Sequence, residues 1–228
     1  MKKFLSALLA IAMLFSLTAF AQESAPVVYV SISDDTGTLT LAYVPVELAD
    51  ADGDGALTIH DALIAAHETY HPDGAAAFLA EESEWGLSMY RLWNVENGGS
   101  YGYMVNDVSA WSLVDPVKAG DHIKAYAFTD LTNFSDTYAY FTAPVAAAAV
   151  DAEVTLTLSA NGYDEAWNPI TLPVAGACIT VNGEETRAVT DENGHVVLTF
   201  QMPGVYTVSA RSETMTLVPP VCIVTVTE

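Results

Sequence analysis

Residues 50–61 constrain this chain more than any other stretch. They read Asp50-Ala51-Asp52-Gly53-Asp54-Gly55-Ala56-Leu57-Thr58-Ile59-His60-Asp61. Carboxylates fall at positions 1, 3, 5 and 12 of this window, and Gly55 stands at position 6, where the backbone must turn sharply. Ala56 at position 7 needs to offer only its carbonyl. Thr58 at position 9 can ligate directly or through water, and Leu57 is an apolar anchor for the core. Hard oxygen donors at this spacing can surround one Ca²⁺ with about six or seven contacts. The window runs straight into residues 58–70, where Ile59, Ala62, Leu63, Ala66 and Tyr70 recur at helical spacing. Pro72-Asp73-Gly74 then stops the helix. The competing reading is a solvated acidic turn.

The chain opens on Lys2 and Lys3, followed by an apolar run over 4–20 and the small-x-small site Ala19-Phe20-Ala21. Residues 1–21 read as a signal peptide cleaved after Ala21. No second long apolar run follows, so the expectation is a secreted or cell-surface protein whose mature chain does not insert into a membrane. Formal net charge is −22, and loss of Lys2 and Lys3 takes it two lower. A surface this acidic repels phosphate backbones and anionic lipids, which excludes nucleic acid as a partner and favours divalent cations.

Order along the chain gives the expected fold. Residues 27–33 and 38–48 read as a hairpin around Asp34-Asp35-Thr36-Gly37. The acidic loop and helix follow, 75–82 reads as a further helical turn, and strands are expected at 87–95, 101–106 and 121–128. Strand–strand–helix–strand–strand is the order of a β-grasp-like α+β domain, placed at 24–142. The alanine-rich residues 143–152 read as a linker. From 153 to 228, short alternating runs are separated by Asn182-Gly183, Asn193-Gly194 and Pro203-Gly204, which predicts an all-β immunoglobulin-like sandwich. The two cysteines, Cys178 and Cys222, leave two readings. If the strands carrying them pair as opening and final strands, they form a disulfide; otherwise they are two buried thiols.

Three segments resemble known families. Residues 50–61 with Ala62-Leu63 look like one EF-hand or dockerin-type calcium loop; dockerins carry two, and one is found here. Leu92-Trp93, Tyr101-Gly102-Tyr103-Met104-Val105-Asn106 and Val117-Lys118-Ala119-Gly120-Asp121-His122-Ile123 resemble the transcobalamin-like C-terminal domain of bacterial surface proteins. The resemblance implies a β-grasp-like fold. The helical barrel that helps vertebrate members enclose cobalamin has no counterpart here, and no cobalamin contact carries over. Thr190-Asp191-x-x-Gly194 and Pro203-Gly204-x-Tyr206-x-Val208 resemble bacterial immunoglobulin-like modules, which implies an architecture and no chemistry.

Two constellations offer other roles. His67-Glu68-Thr69-Tyr70-His71 matches the zinc pattern H-E-x-x-H. Against it stand Pro72 directly after, the absence of a third ligand at a recognised spacing, and the packing duty of the same helix. Trp85, Tyr90, Trp93, Tyr101, Tyr103 and Trp111 cluster in one third of the chain. They read as core, or, if exposed, as a stacking platform for a sugar or planar ligand. No P-loop and no G-x-G-x-x-G occurs. The expected function is a non-enzymatic, calcium-binding surface module for binding or adhesion. Its metal ligands are Asp50, Asp52, Asp54, Ala56, Thr58 and Asp61. Its partner is an extracellular protein, glycan or small ligand not named by the sequence. The alternatives are a corrinoid or glycan binder and an extracellular zinc hydrolase using His67, Glu68 and His71.

Overall fold

A computed structural model describes residues 25–228; the expected signal peptide, 1–21, lies outside them. The N-terminal half opens with β1 (Val27–Ser33) and β2 (Leu39–Glu47), an antiparallel hairpin. Asp34 Oδ1 accepts from the Thr36 and Thr38 amides and fixes the turn, with Gly37 at φ 72°. Helix α1 (Ile59–Tyr70) follows the acidic loop. A hairpin of β3 (Leu79–Ser83) and β4 (Gly86–Arg91) stands apart as its own two-stranded sheet. Then come β5 (Tyr101–Val105), β6 (Val108–Ser109) and β7 (His122–Ala127). The main sheet has the order β2-β1-β7-β5-β6, with β1 and β7 parallel.

All six residues of β7 are buried, which requires cover on both faces of the sheet. On one face Ile123 and Ala125 join Val28, Val30 and Ile32 beneath Ile59, Ala62, Leu63 and Ala66 of α1. Those four helix residues are fully buried. Tyr70, expected on the same face, instead lies at its rim and donates its hydroxyl to the Pro45 carbonyl. On the other face Lys124 and Tyr126 meet the C-terminal half of the molecule.

That half begins at β8 (Thr137–Phe141) and β9 (Val145–Ala149). The long β10 (Glu153–Tyr163) is followed by β11 (Pro169–Pro173), β12 (Cys178–Val181), β13 (Glu184–Val189), β14 (His195–Thr199), β15 (Gly204–Arg211), β16 (Leu217–Val218) and β17 (Cys222–Thr227). One sheet has the order β11-β10-β8-β16, with β14 on the first half of β10. The other has the order β13-β12-β15-β17-β9. Their inner faces enclose Phe141, Leu158, Ile179, Val208, Cys222 and Val224. The pairing of β9 parallel to β17 is that of an immunoglobulin-like sandwich.

The expected fold class is corrected here, and several local assignments differ from expectation. The α+β β-grasp-like class does not hold: the described residues form seventeen strands in four sheets, against one α-helix of 12 residues and one 3-10 turn of 4. Of the expected second helical stretch, 75–82, only its first three residues are helical, within the 3-10 turn Gly74–Ala77. The segment then becomes β3, which takes β4 out of the main sheet. The expected linker 143–152 carries β9, registered Val145↔Ile223 through Ala149↔Thr227, and β8 pairs with β10 across the expected boundary. Both cysteines are free. Their strands do not pair, because β15 lies between β12 and β17. Cys178 stands opposite Arg211, while Cys222 stands opposite Val208. Positions 208 and 211 point to opposite faces of β15, so the two thiols do as well. Cys222 is core, and burial pushes its thiol up to about 11.

Candidate functional site

The acidic loop is built by its own amides. Asp50 Oδ1 accepts from the Gly53 and Asp54 amides at 2.7 and 3.1 Å, and Oδ2 from Gly55 at 3.0 Å. Asp54 Oδ1 accepts from the Ala56 amide at 2.7 Å. Gly53 and Gly55 take φ of 78° and 88°, a region closed to most side chains. These turns bring carboxylate oxygens of Asp50, Asp52 and Asp54 within 4.8 Å of one another on an exposed rim.

Asp61 sits deeper. It is the N3 residue of α1 and closes a capping box: Oδ2 accepts from the Thr58 amide and hydroxyl at 2.9 and 2.7 Å. Oδ1 accepts from the Ala51 amide at 2.8 Å, which ties the start of the loop to the start of the helix. Thr58 is buried and its hydroxyl is committed to the cap. A second convergence joins Asp52, Asp61 and His60. His60 was not among the expected residues. Its Nδ1 lies 3.3 Å from Asp52 Oδ2 because the loop folds back on the first turn of α1. The only signal for it in the sequence was its place next to position 12.

The donor set suits a hard divalent cation. Three carboxylates converge, a fourth adjoins through Asp52, and Asp50 Oδ2, Asp54 Oδ1 and Asp61 Oδ1, each accepting a single amide, keep a lone pair. Ala56 can add its carbonyl. The loop binds back into the domain at its far end, where Ile59 and His60 amides donate to the Asp115 and Leu113 carbonyls and Val117 donates to Leu57.

The H-E-x-x-H segment is engaged otherwise. His67 is fully buried. Its Nδ1 donates to the Leu63 carbonyl at 2.6 Å, and its Nε2 accepts from the Trp93 amide at 3.1 Å. Neither nitrogen keeps a lone pair for zinc. His71 Nδ1 accepts from the Asp73 amide at 3.0 Å, and both rings pack on Trp93.

The aromatic cluster divides. Trp93 is part of that packing, and Tyr101 is tied through its hydroxyl to the Tyr90 and Val95 carbonyls. Trp85 and Trp111 are 87% and 95% exposed. They line one groove of about 420 Å³, together with Tyr101 and Tyr103.

No family model and no curated protein sequence matches the chain. Among solved structures it is similar to the N-terminal Ig1-2 module of the Drosophila receptor protein tyrosine phosphatase DLAR, at 14% identity, covering 67% of this chain and 76% of that chain, with a TM-score of 0.28. It is also similar to the tandem Ig repeats of Dlar, at 12% identity over the same shares, with a TM-score of 0.25. Likeness at these TM-scores assigns no role to any residue here.

Proposed function

We propose that this chain is a non-enzymatic extracellular binding module that holds one Ca²⁺ in the loop 50–61. The convergence of Asp50, Asp52 and Asp54 beside Asp61 is the observation that supports it. Their side chains and the Ala56 carbonyl are the ligands, and Thr58 acts by holding Asp61 rather than by ligation. Calcium supplies charge neutralisation. Without it, like charges within 4.8 Å repel across the rim. The leader expected at 1–21 supports an extracellular setting, where calcium is plentiful. Among the described residues no helix is long and apolar enough to cross a membrane.

The test is thermal unfolding of the mature chain in Ca²⁺ and in chelator. A ligand at 100 times its dissociation constant adds about 2.7 kcal/mol of stability. Asp61 is shorter than the glutamate that usually closes such loops, which places the affinity in the moderate range. The melting temperature is expected to rise with Ca²⁺ in wild type and to be indifferent to it in Asp54→Ala. Equal melting curves with and without Ca²⁺ in wild type would refute the site.

A further inference from the structure

We propose that the groove between Trp85 and Trp111 binds a neutral carbohydrate. Large apolar side chains are normally the most buried in a protein, and both indoles stand almost wholly in solvent. They are not loose. The Trp85 amide donates to Ser83 Oγ at 3.1 Å, and that hydroxyl also meets Ser88 Oγ at 2.8 Å, which closes the β3–β4 turn. The Trp111 and Ser112 amides both donate to Asp115 Oδ2, at 2.7 and 3.2 Å. Each indole is therefore carried on a turn ordered in advance, which lowers the entropy cost of binding.

The chemistry of the lining selects the ligand class. Among the described residues no charged side chain lines the groove, although the chain carries a net charge of −22. An anion would find no counter-charge in the lining and would be repelled by the acidic surroundings. What the groove offers is two indole faces, and polar groups that have no partner among the described residues: both indole N–H groups and the Tyr103 hydroxyl. A pyranose matches this pattern. Its axial C–H face stacks on an indole, and its hydroxyls both donate and accept. A proline-rich peptide presents acceptors and few donors, and so would leave the Tyr103 lone pairs unanswered. The volume of about 420 Å³ lies within the range of ligand sites, about 300–1,000 Å³.

This inference names the ligand class for the binding role proposed above and rests on that role. The calcium test reads melting, whereas this one reads tryptophan fluorescence and heat of binding, so either can fail alone. The mature chain is titrated with soluble neutral oligosaccharides of glucose, mannose, xylose, galactose and N-acetylglucosamine, and with a proline-rich peptide for comparison. At least one oligosaccharide is expected to bind and shift tryptophan emission. Trp85→Ala and Trp111→Ala are each expected to weaken it about tenfold or more, a loss typical of a central aromatic contact. Because both side chains are exposed, the variants should melt as wild type does. The proposal is overturned if none of the five sugar series binds, if the double variant binds as wild type does, or if the peptide binds in place of sugar.

Discussion

At His67 the immediate surroundings decide what the residue does. Burial holds its imidazole down at about 4; the bond to Leu63 opposes this and the neighbouring His71 adds to it. His122 is held down at about 3, first by burial and then by Lys124. In the unfolded chain both rings take a proton as pH falls through about 6.5; in the folded chain they stay neutral to much lower pH. Their stabilisation is therefore present above pH 6.5 and is lost progressively as pH falls toward 4, with His67 accounting for about 3 kcal/mol. His67→Leu leaves the Trp93 amide without its acceptor, a cost of about 1–3 kcal/mol at neutral pH. Urea unfolding at several pH values is expected to show both this loss and a flatter slope between pH 6.5 and 4. An unchanged slope would mean that His67 titrates normally. The five letters of the zinc pattern were legible in the sequence. Their outcome was not, because the Trp93 amide that occupies Nε2 arrives from 26 residues away. His60 was missed for a similar reason, since only the fold-back of the loop brings it to Asp52.

Between elements, the acidic loop and the segment 110–117 act as one piece. Val117 to Leu57, Ile59 to Asp115 and His60 to Leu113 are backbone bonds of 2.9, 3.1 and 2.9 Å. Ordering the loop with Ca²⁺ should therefore slow local opening of these bonds. In hydrogen exchange, the amides of Ile59, His60 and Val117 are expected to be better protected in Ca²⁺ than in chelator, by about tenfold or more. Asp54→Ala should erase the difference, and the amides of β12 should not respond. Uniform protection across the chain would instead indicate a global effect. The loop, the helix and most strands could be read from local pattern, because turn glycines, caps and alternation are written next to the residues they govern. The strand β9 could not. Its Val145-Ala146-Ala147-Ala148-Ala149 has no contrast between faces, and only the partner β17 makes it a strand. The extra hairpin was hidden in the same way, since the alanines at 75–77 suit a helix as well as a tight turn.

At the scale of the whole molecule, Lys124 joins the two halves. It lies in the main sheet, yet its Nζ donates to the Ala139 carbonyl at 3.3 Å and to the Pro219 carbonyl, and it sits 4.8 Å from the Tyr138 ring centre. Tyr138 in turn donates its hydroxyl to Asp107 at 2.7 Å. Burial pulls the lysine down to about 7, opposed by Asp107. An unfolded lysine keeps its proton to about 10.4. The folded state is therefore penalised while the amine is charged, below about pH 7, and the penalty fades as pH rises above that. Stability is expected to increase between pH 7 and 9.5, below the range where tyrosines titrate. In Lys124→Met the rise should disappear, and stability at pH 7 should equal or exceed that of wild type, as when other buried charges give way to apolar isosteres. Persistence of the rise in the variant would assign it elsewhere. The parallel seam between β9 and β17 has a mechanical consequence. A pull entering at the start of β9 and leaving at the end of β17 drives the two strands past each other lengthwise. All five registered pairs then carry the load together, whereas an antiparallel seam pulled the same way would peel open one pair at a time. Along its strands the β9–β17 seam is therefore loaded in shear rather than peeled.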